Sequence, residues 1–159
     1  MNKKKLKSLF IKLVFPLLKI YWRILKPKTF GVKAIIVHPE DSKQILLIQH
    51  SYDNKKLWNL PGGGYNPKKE TAIEAIKREL KEELSIIPIN LIQLGEYKSD
   101  KEGKHDTVTI FLVEIPSNKF NLNYEISQAQ WFSIDNLKEV SNIAHLVLYS
   151  AQLYKKTNF

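Results

Sequence analysis

Apolar residues in this chain fall into two periods, and the switch between them marks out the elements. Alternating or short apolar runs predict strands over Gly31–Val37 and Gln44–His50, turned at Pro39-Glu40-Asp41-Ser42. Leu57–Leu60 reads as a short strand that ends in Pro61-Gly62-Gly63-Gly64. Further strands are expected over Leu91–Lys98, Thr107–Ile115 and Glu125–Phe132, with the polar stretch Ser99–Asp106 joining the first two. The period then changes to that of a helix. Ile76, Leu80 and Leu84 stack on one face of a helix expected over Glu70–Leu84. A short helix over Ile134–Glu139 and an amphipathic one over Ile143–Lys155 complete the pattern. Strands interleaved with helices predict a layered α/β domain.

The first 28 residues follow a different rule. Leu6, Leu9, Phe10, Leu13, Leu17, Ile20, Tyr21 and Ile24 recur at helical spacing, while Lys5, Lys12, Lys19 and Lys26 recur every seventh residue. This predicts a basic amphipathic helix that Pro16 kinks or splits. Lys12 and Lys19 interrupt it too often for a transmembrane span of about 20 residues. No small-residue cleavage site follows, as a secretory signal would need. Two occupants suit the apolar face of residues 1–26. One is an anionic membrane surface; the other is protein, either the domain itself or a second copy in a homodimer. The expected organisation is therefore an extension over 1–28 and a domain over 29–159.

Charge supports that division. The net charge is +9, and residues 1–28 hold nine Lys and Arg and no acid. Residues 29–159 carry sixteen of each sign, so bulk charge gives the domain no nucleic-acid footprint. There is no cysteine, which excludes disulfides, thiolate–zinc sites and a thiol nucleophile.

Candidate chemistry lies in residues 58–86. Glu79, Glu82 and Glu83 are spaced i, i+3 and i+4, and at about 100° per residue they share an arc of about 100°. Three anions on one helical face repel unless a cation lies between them, and carboxylate oxygens suit hard ions such as Mg²⁺ or Mn²⁺. Solvated glutamates screened by Lys77 and Lys81 are the plainer reading of the helix alone. The preceding Trp58-Asn59-Leu60-Pro61-Gly62-Gly63-Gly64 shifts the balance, because glycine lets backbone approach a ligand closely.

Together the two segments resemble the Nudix hydrolase family. Its box runs Gly, five residues, Glu, seven residues, Arg-Glu-apolar-any-Glu-Glu-any-Gly-apolar. Here these positions are Gly64, Glu70, Arg78-Glu79, Leu80, Glu82-Glu83 and Ile86, with Ser85 in place of the last glycine. The resemblance covers 23 residues closely and Gly31 to Tyr154 more loosely. Ser85 follows the helix end, where glycine would supply a left-handed cap, so the departure concerns the cap and not the carboxylates.

What the resemblance implies is specific. The fold would be an α/β/α sandwich with a mixed β-sheet, here preceded by the N-terminal amphipathic helix. The activity would be Mg²⁺-dependent cleavage of the pyrophosphate linkage in a nucleoside diphosphate joined to another group, with Mn²⁺ as an alternative ion. Glu79, Glu82, Glu83 and the Gly63 carbonyl would hold metal. Glu79 or Glu125 would help deprotonate water, since similar proteins often place a further glutamate in the region of Glu125. Arg78 would orient carboxylates or the loop. Gly62, Gly63, Gly64 and Trp58 are candidates for substrate contact, and Tyr65 also flanks the loop; Trp58 and Tyr65 could stack a base, although a tryptophan beside a strand is more often core. A nucleotide-type small molecule is the expected partner, without specific nucleic-acid binding, and the cytoplasm or the membrane surface is the expected location. The alternative is a Nudix-fold module that senses a nucleotide with little turnover.

Overall fold

A computed structural model describes residues 27–100 and 105–157. The predicted N-terminal helix therefore lies outside the described residues. Six strands form one mixed sheet: β1 (Lys28–His38), β2 (Asp41–His50), β3 (Gly64–Tyr65), β4 (Asn90–Ser99), β5 (His105–Glu114) and β6 (Ile126–Ser133). The order is β4-β5-β1-β2-β6, with β3 paired to β1 off that path. β1 and β5 run parallel from Lys28↔His105 to Ile36↔Val113, and the other pairings are antiparallel. Two helices, α1 (Ala72–Leu84) and α2 (His145–Thr157), cover the sheet, and a 3₁₀ turn spans Leu137–Glu139.

Alternation along the central strands builds two cores. Val32, Ala34 and Ile36 of β1, Leu46 and Ile48 of β2, and Phe111 and Val113 of β5 pack with Ala75, Ile76, Leu80 and Leu84 of α1. Their neighbours Ile35, Ile45, Leu47, Ile110 and Leu112 pack on the other face with Val147, Ala151 and Tyr154 of α2. Strands buried on both faces read as near-continuous apolar runs, which is why Ile45–Ile48 shows no polar break. Each fully buried Ile or Leu contributes roughly 1.5–3 kcal/mol of apolar transfer. The expected α/β/α sandwich with a mixed sheet is what the chain adopts.

Local differences have local causes. The α1 helix starts at Ala72, not Glu70, because Thr71 caps it. The Thr71 hydroxyl accepts from the Glu74 N–H and the Glu74 carboxylate accepts from the Thr71 N–H. Ser85 ends the helix at φ 58° and ψ 29°, so serine adopts the left-handed conformation expected at this position. Leu57–Leu60 forms only isolated bridges, Ile48↔Asn59 and Trp58↔Ile143, and the strand after it is the two-residue β3. Glu125 precedes β6 instead of starting it.

Candidate active site

The site lies where α1, the glycine loop and the start of β1 meet. Hydrogen bonds lash the loop to β1: the Val32 N–H donates to the Gly63 carbonyl (2.9 Å) and the Ala34 N–H to the Pro61 carbonyl (3.0 Å). Gly62 sits at φ +120°, and a Cβ there would lie 2.3 Å from the Val32 carbonyl oxygen. Only glycine fits. A Cβ on Gly63 would stand 2.7 Å from the Glu79 carboxylate, so the missing side chain is the space that Glu79 occupies.

The three box glutamates do not share one environment. Glu83 is 4% exposed and accepts the Gly62 N–H at 2.8 Å. Glu79 is largely buried against Gly63, whereas the Glu82 side chain is 57% exposed. Burial pushes the Glu83 carboxyl up to about 7; Lys33 and the Gly62 N–H oppose this, and the Glu79 and Glu125 charges add to it. Glu125 reaches this neighbourhood because the segment before it wraps the end of α1. There the Asn121 N–H donates to the Leu84 carbonyl and the Asn123 N–H to the Glu83 carbonyl.

Arg78 draws the acidic residues together. Its Nε and one terminal nitrogen grip both Glu70 oxygens (3.1 and 2.9 Å), and the other terminal nitrogen donates to Glu79 (2.7 Å) and Glu82 (3.4 Å). The fork geometry of guanidinium is what allows this. The bonds to Glu70, and after them the bond to Glu79, raise the Arg78 pKa further against the opposing effect of burial.

Next to the glutamates opens a cleft of about 720 Å³. Gly62, Gly63, Gly64 and Tyr65 line it, with Lys28, Phe30, Lys33, His50, Tyr52 and Lys68 among the other walls. Phe30 meets Tyr65 edge to face at 6.2 Å between ring centres. The glutamate side chains stand behind the loop and do not line the cleft. Asp106, read as part of a polar connection, belongs to β5, accepts the Thr29 hydroxyl at 2.8 Å and also lines the cleft. His105 pairs with Asp100 at 2.6 Å on the surface. Trp58 is not brought to the cleft. It packs edge to face on Phe132 at 4.8 Å, in the core beneath α2.

Three site residues carry no motif in the sequence. Lys33 donates to the Leu60 carbonyl (2.9 Å) and to the Gly62 carbonyl. His50 stacks on Tyr52 at 4.9 Å, and its buried Nδ1 has no hydrogen-bond partner among the described residues. Burial, then the Lys33 charge, lowers the His50 pKa to about 4, so the ring is neutral near pH 7. Burial pushes the Tyr52 hydroxyl up to about 12, and Glu83, Glu125 and Glu79 add to the rise.

The donor chemistry fits a hard divalent cation: the groups are oxygens, and buried Glu83 lacks a full counter-charge. Among the described residues no three His, Asp or Glu side chains are drawn around one point. Holding an ion at Glu79 and Glu83 therefore requires exposed Glu82 or half-buried Glu125 to turn inward. The Gly63 carbonyl already accepts one hydrogen bond, from Val32, which leaves its second lone pair for an ion.

Known proteins share both pattern and fold. Residues 28–152 match the NUDIX domain. An ADP-ribose pyrophosphatase of Methanocaldococcus jannaschii is 26% identical over 130 residues, 75% of this chain and 76% of that protein. An RNA pyrophosphohydrolase of Bartonella clarridgeiae is 32% identical over 102 residues, 64% of this chain and 54% of that one. The structure superposes on a MutT Nudix hydrolase from Burkholderia pseudomallei with a TM-score of 0.68 at 24% identity, covering 79% of this chain and 97% of the other. The NUDIX domain of Shewanella oneidensis NrtR, solved with ADP-ribose, gives 0.70 at 18% identity over 86% and 92%. A match over most of the chain settles the resemblance first read in residues 64–86: the chain belongs to the Nudix family.

Proposed function

We propose that this protein is a Mg²⁺-dependent pyrophosphohydrolase acting on a nucleoside diphosphate linked to a second group. The observation that carries the reading is buried Glu83, held to the Gly62 N–H, with Glu79 packed against Gly63, on a glycine loop that also lines a cleft. The cleft suits such a substrate, with Lys28, Lys33 and Lys68 for phosphates and Phe30 and Tyr65 for a flat base. The names of two relatives, an ADP-ribose pyrophosphatase and an RNA pyrophosphohydrolase, point to the same bond type.

Glu79, Glu82 and Glu83 would hold the ion, with the Gly63 carbonyl as a further ligand. A bound Mg²⁺ neutralises pyrophosphate oxygens and lowers the pKa of water. Arg78 ties Glu79 to Glu70 and so holds Glu79 against the loop before substrate arrives, while its longer bond to Glu82 leaves that side chain room to turn inward. The proton of the attacking water falls to Glu79 or Glu125, the carboxylates whose charges act on Glu83. The Gly62 φ of +120° and its N–H bond to Glu83 keep loop and helix in register.

A product screen over nucleoside diphosphate derivatives, with Mg²⁺ and with chelator, tests this. The expected result is Mg²⁺-dependent release of phosphorylated products from at least one class. Tight binding of these compounds without any product would replace the hydrolase by a nucleotide sensor.

A further inference from the structure

Lys33 interrupts an otherwise apolar strand, Val32-Lys33-Ala34-Ile35-Ile36, and it does so where the strand passes the glycine loop. A lysine inside a sheet needs acceptors for its donors. An ammonium carries three N–H groups. Two go to carbonyls, of Leu60 and Gly62, and among the described residues no protein acceptor takes the third. Lys33 also lines the cleft. Burial lowers the Lys33 pKa, the charges of Glu83, Glu79 and Asp106 oppose that, and among the described residues neither glutamate forms an ion pair with it. The lysine is thus a cation aimed by backbone, standing between the carboxylates and the open cleft, with one donor uncommitted.

We propose that Lys33 contacts the substrate directly, donating its third N–H to a non-bridging oxygen of the pyrophosphate. The ligand class is a diphosphate, and the assignment rests on the pyrophosphohydrolase reading above. The two carbonyls do for the ammonium what Arg78 does for the carboxylates: they fix its direction beforehand, so little side-chain entropy is lost on binding. Metal on the carboxylate side and Lys33 on the cleft side would share the negative charge of the substrate between two cations. Lys28 and Lys68, which also line the cleft, would add attraction without this fixed aim.

A merely structural lysine would act differently. Through Gly62, whose carbonyl takes Lys33 and whose N–H holds Glu83, its loss would misplace a metal ligand. The decisive comparison uses the full chain with Lys33→Gln, which keeps amide donors for the carbonyls but no charge, and Lys33→Arg, which keeps the charge. Lys33→Met removes both. Thermal unfolding identifies the variants that fold, and Lys33→Gln serves if Lys33→Met does not. Calorimetry then measures binding of inorganic pyrophosphate in saturating Mg²⁺, independently of turnover. Losing a hydrogen bond to a charged group predicts about tenfold or more weakening in Lys33→Gln. Lys33→Arg should stay near wild type, and the Mg²⁺ level for half-saturation should not move. In turnover assays KM should rise more than kcat falls. Wild-type pyrophosphate affinity in Lys33→Gln, or a raised Mg²⁺ requirement with unchanged affinity, overturns the contact and leaves a structural tie. If the wild-type chain hydrolyses nothing, the hydrolase reading fails, and the calorimetry still decides for or against Lys33.

Discussion

Glu83→Gln should make the metal-free protein more stable while removing its activity. Glu83 is 4% exposed, and its carboxyl rises from 4.5 to about 7 because burial disfavours the charge. A rise of about 2.5 pH units at about 1.4 kcal/mol each is worth roughly 3 kcal/mol. The folded state binds this proton more tightly than the unfolded chain does. The stabilisation is therefore complete below pH 4.5 and is lost as pH climbs to about 7. Glutamine is neutral at every pH and still accepts the Gly62 N–H through its amide oxygen. In chelator near pH 8 the variant should exceed wild type by up to roughly 3 kcal/mol. Near pH 4.5 the two should coincide.

His50 provides an internal control. Its pKa falls from 6.5 to about 4, so its contribution is complete above 6.5 and lost towards 4. Between pH 4.5 and 6.5 the Glu83 and His50 slopes oppose each other in wild type. Glu83→Gln should leave the His50 slope alone, with stability rising with pH. Urea unfolding followed by tryptophan fluorescence over this range measures both effects. Added Mg²⁺ should stabilise wild type and leave the variant unchanged. A variant equal to or weaker than metal-free wild type near pH 8 would refute the idea that Glu83 is held at a cost.

Other expectations follow from single positions. Ser85→Gly relieves φ 58° and should raise stability by about 1 kcal/mol without loss of turnover, read from unfolding curves and kcat. Gly62→Ala places a Cβ 2.3 Å from the Val32 carbonyl oxygen at φ +120°; it should cost on the order of 3 kcal/mol and most of the activity. Deleting residues 1–26 leaves the whole NUDIX match at 28–152 and should retain kcat, with any affinity for anionic vesicles lost.

Much of this was readable because it is local. Glu79, Glu82 and Glu83 sit within two turns of one helix, Ile76, Leu80 and Leu84 repeat at its period, and Ser85 stands where a left-handed cap is required. The capping box was equally local: Thr71-x-x-Glu74 marks the true helix start two residues after Glu70. Lys33, His50 and Tyr52 gave no such signal. They come from two strands and a turn, and only the antiparallel pairing of β1 with β2 and the loop bonds to β1 bring them beside the glycine loop. A lysine inside an apolar strand was the one trace. Of the two roles open to Trp58, base stacking and core, the structure places it against the core, because sequence adjacency to the glycine loop does not put a side chain in the cleft. A backbone bridge to Ile143 turns it into the core under α2.

Water activated among the α1 carboxylates should substitute at phosphorus. Hydrolysis of an accepted nucleoside diphosphate derivative in ¹⁸O-labelled water, followed by mass spectrometry of both products, tests it most directly. One label is expected on a phosphate product, formed only with Mg²⁺ and lost in Glu83→Gln. Label on a carbon-bound oxygen of the second group, or equal incorporation in chelator, would contradict it.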